Sequence, residues 1–271
     1  MRNPLIVLTS DFGSTDSYVG VMKGVILNIA PFVRLIDLTH EVDPQNIKEA
    51  AFQLHTSVKY FPEGTIFLTV IDPGVGSNRD AIAFKTDDYY FVAPDNGVLS
   101  YIIRNFKIDG VYSLNNRKYH LSEVSSTFHG RDIFAPIAAH IANGVPLSEL
   151  GKRVSQLNLI TLPNPQCFLD SQNIWHGEVI HLDRFGNIVT SRDMKTMKIS
   201  DRFDETYSRL TLETGEIRVK GLHNSFSEVA TGSLAAYTGS SGYLEIAKRN
   251  GNAAYDYNIQ IGDNVYAYWN F

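Results

Sequence analysis

The chain has 271 residues, of which 44% are hydrophobic, so it can build one large core or two smaller ones. Its net charge of −5 provides no basic surface, so neither nucleic acid nor an anionic membrane is an expected partner. The single cysteine, Cys167, cannot form an internal disulfide, and the opening apolar run LIVL is too short for a signal peptide or a membrane span. We therefore expect a cytoplasmic protein with two domains.

The first half of the chain alternates between predicted strands and predicted helices. Four short apolar runs, LIVLTSDFG, VRLIDLTH, TIFLTVIDPGVG and YYFVAPDNG, each break into acidic or glycine-rich residues and are typical of buried parallel strands. Helical spacing is predicted over 18–30, 46–61, 97–106 and 128–144. This alternation predicts an N-terminal α/β domain with a mainly parallel central sheet over residues 1–162.

The segment ITLPNPQC interrupts the pattern, because two prolines flank an asparagine with no periodicity around them. Beyond it come short alternating runs separated by glycine and asparagine turns: WHGEVIHLD, GNIVTSR, SRLTLET, IRVKG, SLAAYTGSSGYLEIA and NVYAYW. Residues 163–271 are therefore predicted to form a second domain, a small β-sandwich or β-barrel.

Several polar residues follow the predicted strands directly, and in open α/β sheets ligands bind beyond the carboxyl ends of the strands. Asp11 ends the first run, where a carboxylate can accept hydrogen bonds from both hydroxyls of a ribose or, alternatively, stabilise a turn. Asp16 could equally cap the following helix. Asp95 and Asn96 end the run YYFVAPDNG. These positions predict a ligand crevice at one edge of the sheet.

A catalytic group is predicted from Asp72, Arg79 and His129. Asp72 begins a tight Asp-Pro-Gly-Val-Gly turn that lacks the Gly-Lys-Ser/Thr ending of a phosphate loop, so phosphate binding is disfavoured. Arg79 lies on the other limb of the same turn, and a purely structural salt bridge between Asp72 and Arg79 is the alternative interpretation. His129 opens the helix of FHGRD; it could be structural, but histidine exchanges protons near neutral pH. Convergence of all three at one sheet edge favours catalysis.

The second domain carries two polar segments, HLDRFGN and TGSSGYLEIAKRNG, which could be ordinary hairpin turns. Together they offer an anionic group for an ammonium, hydroxyls for a carboxylate, an amide for a base edge and aromatic rings for a flat ligand. The candidate residues are Asp183, Phe185, Asn187, Ser240, Tyr243 and Glu245.

The segments TSDFGSTDSYVGVMKG, PEGTIFLTVIDPGVGS, APDNG, FHGRDIFAP, HLDRFGN and SSGYLEIA, in this order, resemble the S-adenosyl-L-methionine hydrolases, relatives of the fluorinating and chlorinating enzymes. The resemblance implies an N-terminal α/β domain, a C-terminal β-barrel and a homotrimer with active sites between subunits. It also implies conversion of S-adenosyl-L-methionine and water to adenosine and methionine, with no cofactor and no metal.

The same resemblance implies roles for individual residues. Asp11 would hold the ribose diol, Asp183 the methionine ammonium and Ser240 its carboxylate. Asn187 would meet the adenine edge, with Phe226 packed near the ring. Asp72, Arg79 and His129 match the set that hydrolases of this family use at the water. The implied substrate-binding set is Asp11, Asn96, Asp183, Phe185, Asn187, Phe226, Ser240, Tyr243 and Glu245.

Departures from the halogenating relatives favour water as the nucleophile. Those relatives carry tyrosine at the position of Asp72 and serine at that of Gly130, and the long insertion before APDNG that is typical of the fluorinating enzymes is absent here. They also carry arginine at the position of Ser241, so the contacts to the substrate carboxylate differ here, and serine at that of Tyr18, a contact that does not carry over.

Two other functions are compatible with these residues. A metal-dependent hydrolase could use Asp11, Asp72, Asp95, His129 and Asp132 as ligands, although no compact ligand spacing appears and Arg79 would compete with a cation. A non-catalytic sensor could bind S-adenosyl-L-methionine or adenosine without turnover. Our hypothesis is that Asp72 and His129 position and deprotonate a water, with the choice of base open, and that Arg79 orients Asp72.

Overall fold

The computed structural model describes residues 3–194 and 208–269. The chain divides into two compact units, Met1–Leu162 and Pro163–Phe271. Within the described ranges, no helix combines the length and the apolar character that crossing a membrane requires.

A seven-stranded sheet forms the centre of the first unit, in the order β2-β1-β3-β5-β4-β6-β7. The strands are β1 (Leu5–Ser10), β2 (Arg34–Thr39), β3 (Ile66–Val70), β4 (Ala81–Thr86), β5 (Tyr90–Pro94), β6 (Ile108–Ser113) and β7 (Lys152–Val154). β1 pairs in parallel with β2 and β3, and β3 pairs in parallel with β5. β4 runs antiparallel to β5 and β6, and β7 runs antiparallel to β6. The predicted α/β fold is confirmed, with a sheet that is mixed.

Helices cover both faces of this sheet. They are α1 (Tyr18–Ile29), α2 (Ile47–Ser57), α3 (Ser100–Asn105), α4 (Ala135–Ala142) and α5 (Leu147–Leu150). Because side chains alternate along a strand, Ile6 of β1 joins the cluster that contains Ile26 of α1, whereas Val7 joins the cluster that contains Leu54 of α2. The two clusters fix β1 from both sides, and all six of its residues are buried.

The expectation that all four apolar runs are buried is wrong for β2. This strand lies at the edge of the sheet, and Ile36 is 44% exposed. An edge strand has a neighbour on one side only, which leaves room for the polar residues Arg34 and Asp37. The carboxyl ends of β1, β2, β3 and β5 nevertheless meet at one edge of the sheet, as parallel pairing requires.

The second unit is a nearly closed antiparallel barrel, which confirms the predicted C-terminal β-barrel. Its strands are β8 (Cys167–Leu169), β9 (Trp175–Leu182), β10 (Ile188–Asp193), β11 (Leu210–Thr214), β12 (Ile217–Lys220), β13 (Leu234–Thr238), β14 (Tyr243–Lys248) and β15 (Asn264–Trp269). They run in the order β12-β11-β15-β9-β10-β14-β13, with β8 paired to β9. β12 contacts β13, and an isolated parallel β-bridge pairs His223, just after β12, with Tyr237 of β13. Alternate residues such as Trp175, Val179 and Ile246 fill the interior.

Candidate active site

The loop after β3 folds Arg79 back onto Asp72. The Val75 amide donates to the Asp72 carbonyl over 3.1 Å, and the Ser77 hydroxyl donates to the Gly74 carbonyl over 2.7 Å. A Cβ atom on Gly74 would lie 3.3 Å from Cγ of Arg79, so glycine at this position leaves space for the arginine chain. The tight turn predicted from sequence therefore brings the two side chains together.

Asp72 and Arg79 form a bidentate ion pair that is almost completely buried. Arg79 Nε donates to Asp72 Oδ1 over 2.8 Å, and Arg79 Nη2 donates to Asp72 Oδ2. The Arg79 side chain is 9% exposed and the Asp72 side chain 6% exposed, and the guanidinium lies 5.2 Å from the centre of the Phe134 ring. Two parallel charge-assisted hydrogen bonds fix the plane of the carboxylate.

His129 contacts the same guanidinium, with Arg79 Nη2 and His129 Nδ1 separated by 2.8 Å. Because a guanidinium can only donate, Nδ1 accepts, and the neutral imidazole carries its proton on Nε2. Burial lowers the pKa of His129, and the charge of Arg79 lowers it further against the opposing effects of Asp72 and Asp132. The structure thus unites the three predicted catalytic residues and fixes the tautomer of the histidine.

His129 stands at the start of a π-helical turn, Gly130–Phe134, that leads into α4. Such turns are frequent at functional sites. Asp132, fully buried, accepts from Arg131 Nε over 2.5 Å and from the Ser125 amide over 2.8 Å. A Cβ atom on Gly130 would lie 3.2 Å from both Met22 Sδ and the Phe128 ring. The turn that carries His129 therefore packs closely on α1 and has little freedom.

Three aromatic rings join the Asp11 loop to the His129 turn. The ring centres of Phe12 and Phe128 lie 5.8 Å apart, and Tyr18 lies 5.5 Å from Phe12 and 5.1 Å from Phe128. The sequence assigns no role to Phe12 or Phe128, although each adjoins a predicted site residue. The rings form an apolar wall between Asp11 and His129.

Asp11 and Asn96 both bond to backbone groups at the sheet edge. Asp11 Oδ2 accepts from the Gln45 amide over 2.8 Å. Asn96 donates to the Ile71 carbonyl over 2.7 Å and accepts from the Val98 amide over 3.2 Å. The amide of Asn96 therefore tethers the end of β3 immediately before Asp72, a supporting position that the sequence did not indicate.

In the barrel, Asp183 and Asn187 form a closed turn. Asp183 Oδ1 accepts from the amides of Phe185 and Asn187 over 2.9 and 2.8 Å, and its Oδ2 accepts from Asn187 Nδ2 over 2.7 Å. The turn presents the Phe185 ring outward, 75% exposed. The predicted grouping of an acid, an amide and an aromatic ring is thus local to one hairpin.

A second polar group in the barrel surrounds Glu245. Burial raises the pKa of Glu245, and the charge of Asp183 adds to this, whereas hydrogen bonds with Tyr237 and Ser241 lower it. Tyr237 lies directly opposite Glu245 in the β13–β14 pair, and its ring is 6.3 Å from that of Phe226. Tyr243 opens β14, and Ser240 is exposed in the turn before it. Tyr237 was missed because it fits the alternating pattern of a buried strand.

No group of three or more His, Cys, Asp or Glu residues within 3–194 and 208–269 is arranged to hold a metal ion. Of the residues that could have formed such a site, Asp72 is bonded to Arg79 and Asp132 to Arg131. Both carboxylates are therefore already neutralised by guanidinium groups.

The fold is thus an α/β unit followed by a nearly closed barrel, and an acid, an arginine and a histidine meet beyond the end of β3. The N-terminal and C-terminal domains of the SAM hydroxide adenosyltransferase family match residues 6–151 and 177–266. The chain belongs to this family.

Individual relatives agree over almost the whole chain. An (R)-S-adenosyl-L-methionine hydrolase from Salinispora tropica is 35% identical, with 97% of each chain covered. A fluorinase from an Actinoplanes species is more distant, at 28% identity over 97% of each chain. A crystal structure of a conserved protein from Thermotoga maritima superposes with a TM-score of 0.88 at 37% identity, covering 97% of this chain and 100% of that one.

Proposed function

We propose that this protein hydrolyses S-adenosyl-L-methionine to adenosine and L-methionine, by attack of water on the ribose 5′ carbon. The observation that carries the proposal is the buried cluster of Asp72, Arg79 and His129. Family membership and the full-length similarity to an (R)-S-adenosyl-L-methionine hydrolase support it. The proposal places the reaction in the cytoplasm, the location expected from the sequence.

The chemistry requires little beyond a positioned nucleophile. Displacement at the 5′ carbon breaks the bond to sulfur and releases a neutral thioether, so the leaving group needs neither a proton nor a metal ion. Holding water in line with the breaking bond can contribute about 7 kcal/mol or more through orientation alone. A rigid polar cluster beside an apolar wall supplies that orientation and limits access of other solvent.

The hydrogen-bond pattern supports Asp72 as the group that accepts the proton of water. Each of its oxygens has a lone pair beyond the one used by Arg79. His129 has its proton on Nε2 and can therefore donate a hydrogen bond to the water oxygen, which orients the lone pair that attacks. Arg79 fixes both groups and offsets the negative charge that develops on the nucleophile.

Substrate contacts in this proposal follow the resemblance. Asp11 holds the ribose diol, Asp183 the ammonium, Ser240 the carboxylate and Asn187 the adenine edge. Asn96, Phe185, Phe226, Tyr243 and Glu245 complete the binding set. The remaining Asp11 oxygen, Oδ1, has no bond to the Gln45 amide and is the one offered to a hydroxyl.

The test is incubation of purified protein with S-adenosyl-L-methionine and excess chelator, followed by chromatography. We expect equimolar adenosine and methionine from the wild type and neither from Asp72→Asn. Loss of activity with chelator would indicate a metal-dependent hydrolase instead. Tight binding without release of adenosine would indicate a non-catalytic sensor.

We also propose a homotrimer in which each active site lies between two subunits. The exposed apolar residues of the first unit support an assembly: Phe32 is 78% exposed, Ile36 44% and Leu27 42%. Light scattering gives the mass in solution. Mixing the variants Asp72→Asn and Asp183→Ala, each inactive alone, should restore activity after subunit exchange if one site uses both chains, and it should restore none if each chain is complete.

A further inference from the structure

Four polar side chains form a continuous hydrogen-bonded chain beside the loop that carries Asp11. Ser10 Oγ lies 2.7 Å from His40 Nδ1, and His40 Nε2 lies 3.0 Å from Asp37 Oδ1. Lys23 Nζ donates to Asp37 Oδ2 over 2.6 Å. Asp37 and His40 lie at the end of the run VRLIDLTH, and no function derived above uses this group.

The proton positions follow from the partners. A carboxylate only accepts, so His40 donates from Nε2, and in the neutral imidazole Nδ1 then accepts from the Ser10 hydroxyl. Burial opposes the charge of Asp37, but hydrogen bonds from Lys23 and His40 outweigh it and lower the pKa of the carboxyl. The chain is therefore anchored by an ionised group at one end and by a buried hydroxyl at the other.

This arrangement resembles the serine, histidine and acid of a hydrolase, but a nucleophilic role is disfavoured. Ser10 is 1% exposed and ends β1 inside the sheet, where a substrate carbonyl has no access to its oxygen. His40, Asp37 and Lys23 instead line a cavity of about 510 Å³, together with Gly13 and Asp16. The group forms a wall of this cavity and holds Ser10 behind it.

The same segment holds the Asp11 loop through its backbone. The Gly13 amide donates to the His40 carbonyl over 2.8 Å, and the Gln45 amide donates to Asp11 Oδ2 over 2.8 Å. Gly13 has φ +66° and Gln45 has φ +66°, a left-handed conformation that non-glycine residues seldom adopt. Asp11 is thus fixed on both sides by the segment 40–45, and in the part of the chain that the structure describes the side chain of His40 joins this segment to the end of β1.

We propose that His40 is a positioning residue for substrate binding. It locks the segment 40–45 onto Ser10, and so holds the Asp11 carboxylate where it meets the ribose diol. This inference rests on the proposed hydrolysis of S-adenosyl-L-methionine. The Asp72, Arg79 and His129 side chains make no hydrogen bond to this group among those found in the described residues, so chemistry at the water is unchanged when it is removed.

The test is steady-state kinetics with S-adenosyl-L-methionine together with calorimetric binding of adenosine, for His40→Leu, His40→Asn and Ser10→Ala. Loss of binding that is equal in ground state and transition state raises KM and leaves kcat unchanged. We expect His40→Leu and Ser10→Ala to raise KM and the adenosine Kd about tenfold, with kcat within about twofold of the wild type. His40→Asn retains an acceptor at the position of Nδ1 and should recover most of the affinity.

A double variant tests the connection between the two residues. Because Ser10 and His40 act through one bond, the double variant should be no weaker in adenosine binding than the worse single variant. His176→Leu is the matched control, since His176 Nε2 pairs with Asp170 over 2.8 Å in the barrel, away from the Asp11 loop in sequence and fold unit. Its KM should equal that of the wild type.

The outcomes separate this inference from the function on which it rests. Wild-type protein that releases no adenosine would contradict the proposed function. If the wild type is active, an unchanged KM in Ser10→Ala would overturn the role of His40. A lower kcat at constant KM in every variant would also overturn it, because that result reports only a smaller folded fraction. Ser10→Ala removes a single oxygen and keeps the question testable should His40→Leu fail to fold.

Discussion

Substitution of His129 by glutamine and by asparagine distinguishes whether His129 acts as a general base or as a hydrogen-bond donor to the water. Nδ1 of His129 accepts from Arg79 over 2.8 Å, which leaves the proton on Nε2. Glutamine places an amide NH₂ near the position of Nε2 and can donate to water, but it cannot take up a proton. Asparagine places its oxygen near Nδ1 and keeps the contact with Arg79, but it has no group that reaches the water.

The expected magnitudes differ enough to measure. If His129 only donates, His129→Gln should lower kcat by less than about tenfold. His129→Asn should lose a hydrogen bond to a developing charge, about 1.5 to 3 kcal/mol, which corresponds to about 10- to 150-fold in kcat. Asp72→Asn removes the proposed proton acceptor and should cost about two to four powers of ten.

Chromatographic measurement of adenosine under single-turnover conditions gives these rates without interference from product release. Adenosine binding and the melting temperature provide the controls for folding. The reasoning would be refuted if His129→Gln and His129→Asn were equally inactive at about the level of Asp72→Asn while both still bound adenosine, since that pattern requires the imidazole itself to accept the proton.

Three further predictions concern packing, protonation and the barrel. Gly130→Ser should destabilise the protein by about 1 to 3 kcal/mol in urea unfolding, because its Cβ would press on Met22 and Phe128. Gly24→Ser on α1 is the matched control, since a Cβ there meets nothing within 4 Å. The control should lower the free energy of unfolding by less than half as much. The free energy of unfolding should fall as the pH drops below the usual histidine pKa of 6.5. Burial lowers the pKa values of His129, His120 and His140 in the folded state, so the unfolded chain binds protons first. Urea unfolding at pH 7.5 and pH 5.5 measures this effect, and equal stability at the two pH values would contradict it. Tyr237→Phe should raise the pKa of Glu245 further, since it removes a hydrogen bond that favours the carboxylate, and a carboxyl ¹³C titration assigned with Glu245→Gln would disprove this if the pKa fell.

The fold could be anticipated wherever hydrophobic pattern and secondary structure coincide. The strand runs that begin at Leu5 and Ile66 lie in the interior of the sheet, and their burial follows from their composition. The sequence pattern predicts a strand at YYFVAPDNG and none at AIAFKT, whereas the two aspartates between these segments permit a hairpin of β4 and β5. Position within the sheet, which leaves β2 exposed, is set by tertiary pairing and has no signature in the strand's own residues.

The candidate site divides in the same way. Asp72 and Arg79 are seven residues apart in one tight turn, so their contact was a local inference. His129 is 50 residues from Arg79, and it entered the same hypothesis through the expected sheet edge and through the family resemblance. The bond between Ser10 and His40 could not be predicted in this way, since a serine that ends a buried strand carries no mark of the histidine 30 residues later to which it bonds.

Close packing at Gly130 bears on the choice of nucleophile in this family. The resemblance to halogenating enzymes places a serine at this position in those relatives, yet a Cβ here would lie 3.2 Å from Met22 Sδ, 3.2 Å from the Phe128 ring and 3.4 Å from Val70. The Val70 distance is an ordinary contact, whereas the Met22 and Phe128 side chains would have to give by a few tenths of an ångström to admit a serine. That turn holds His129 against Arg79, and a shift of α1 would change its hydrogen bond. We therefore expect exchange of Gly130 alone to weaken hydrolysis, by displacing His129 from Arg79, without creating a halogenase.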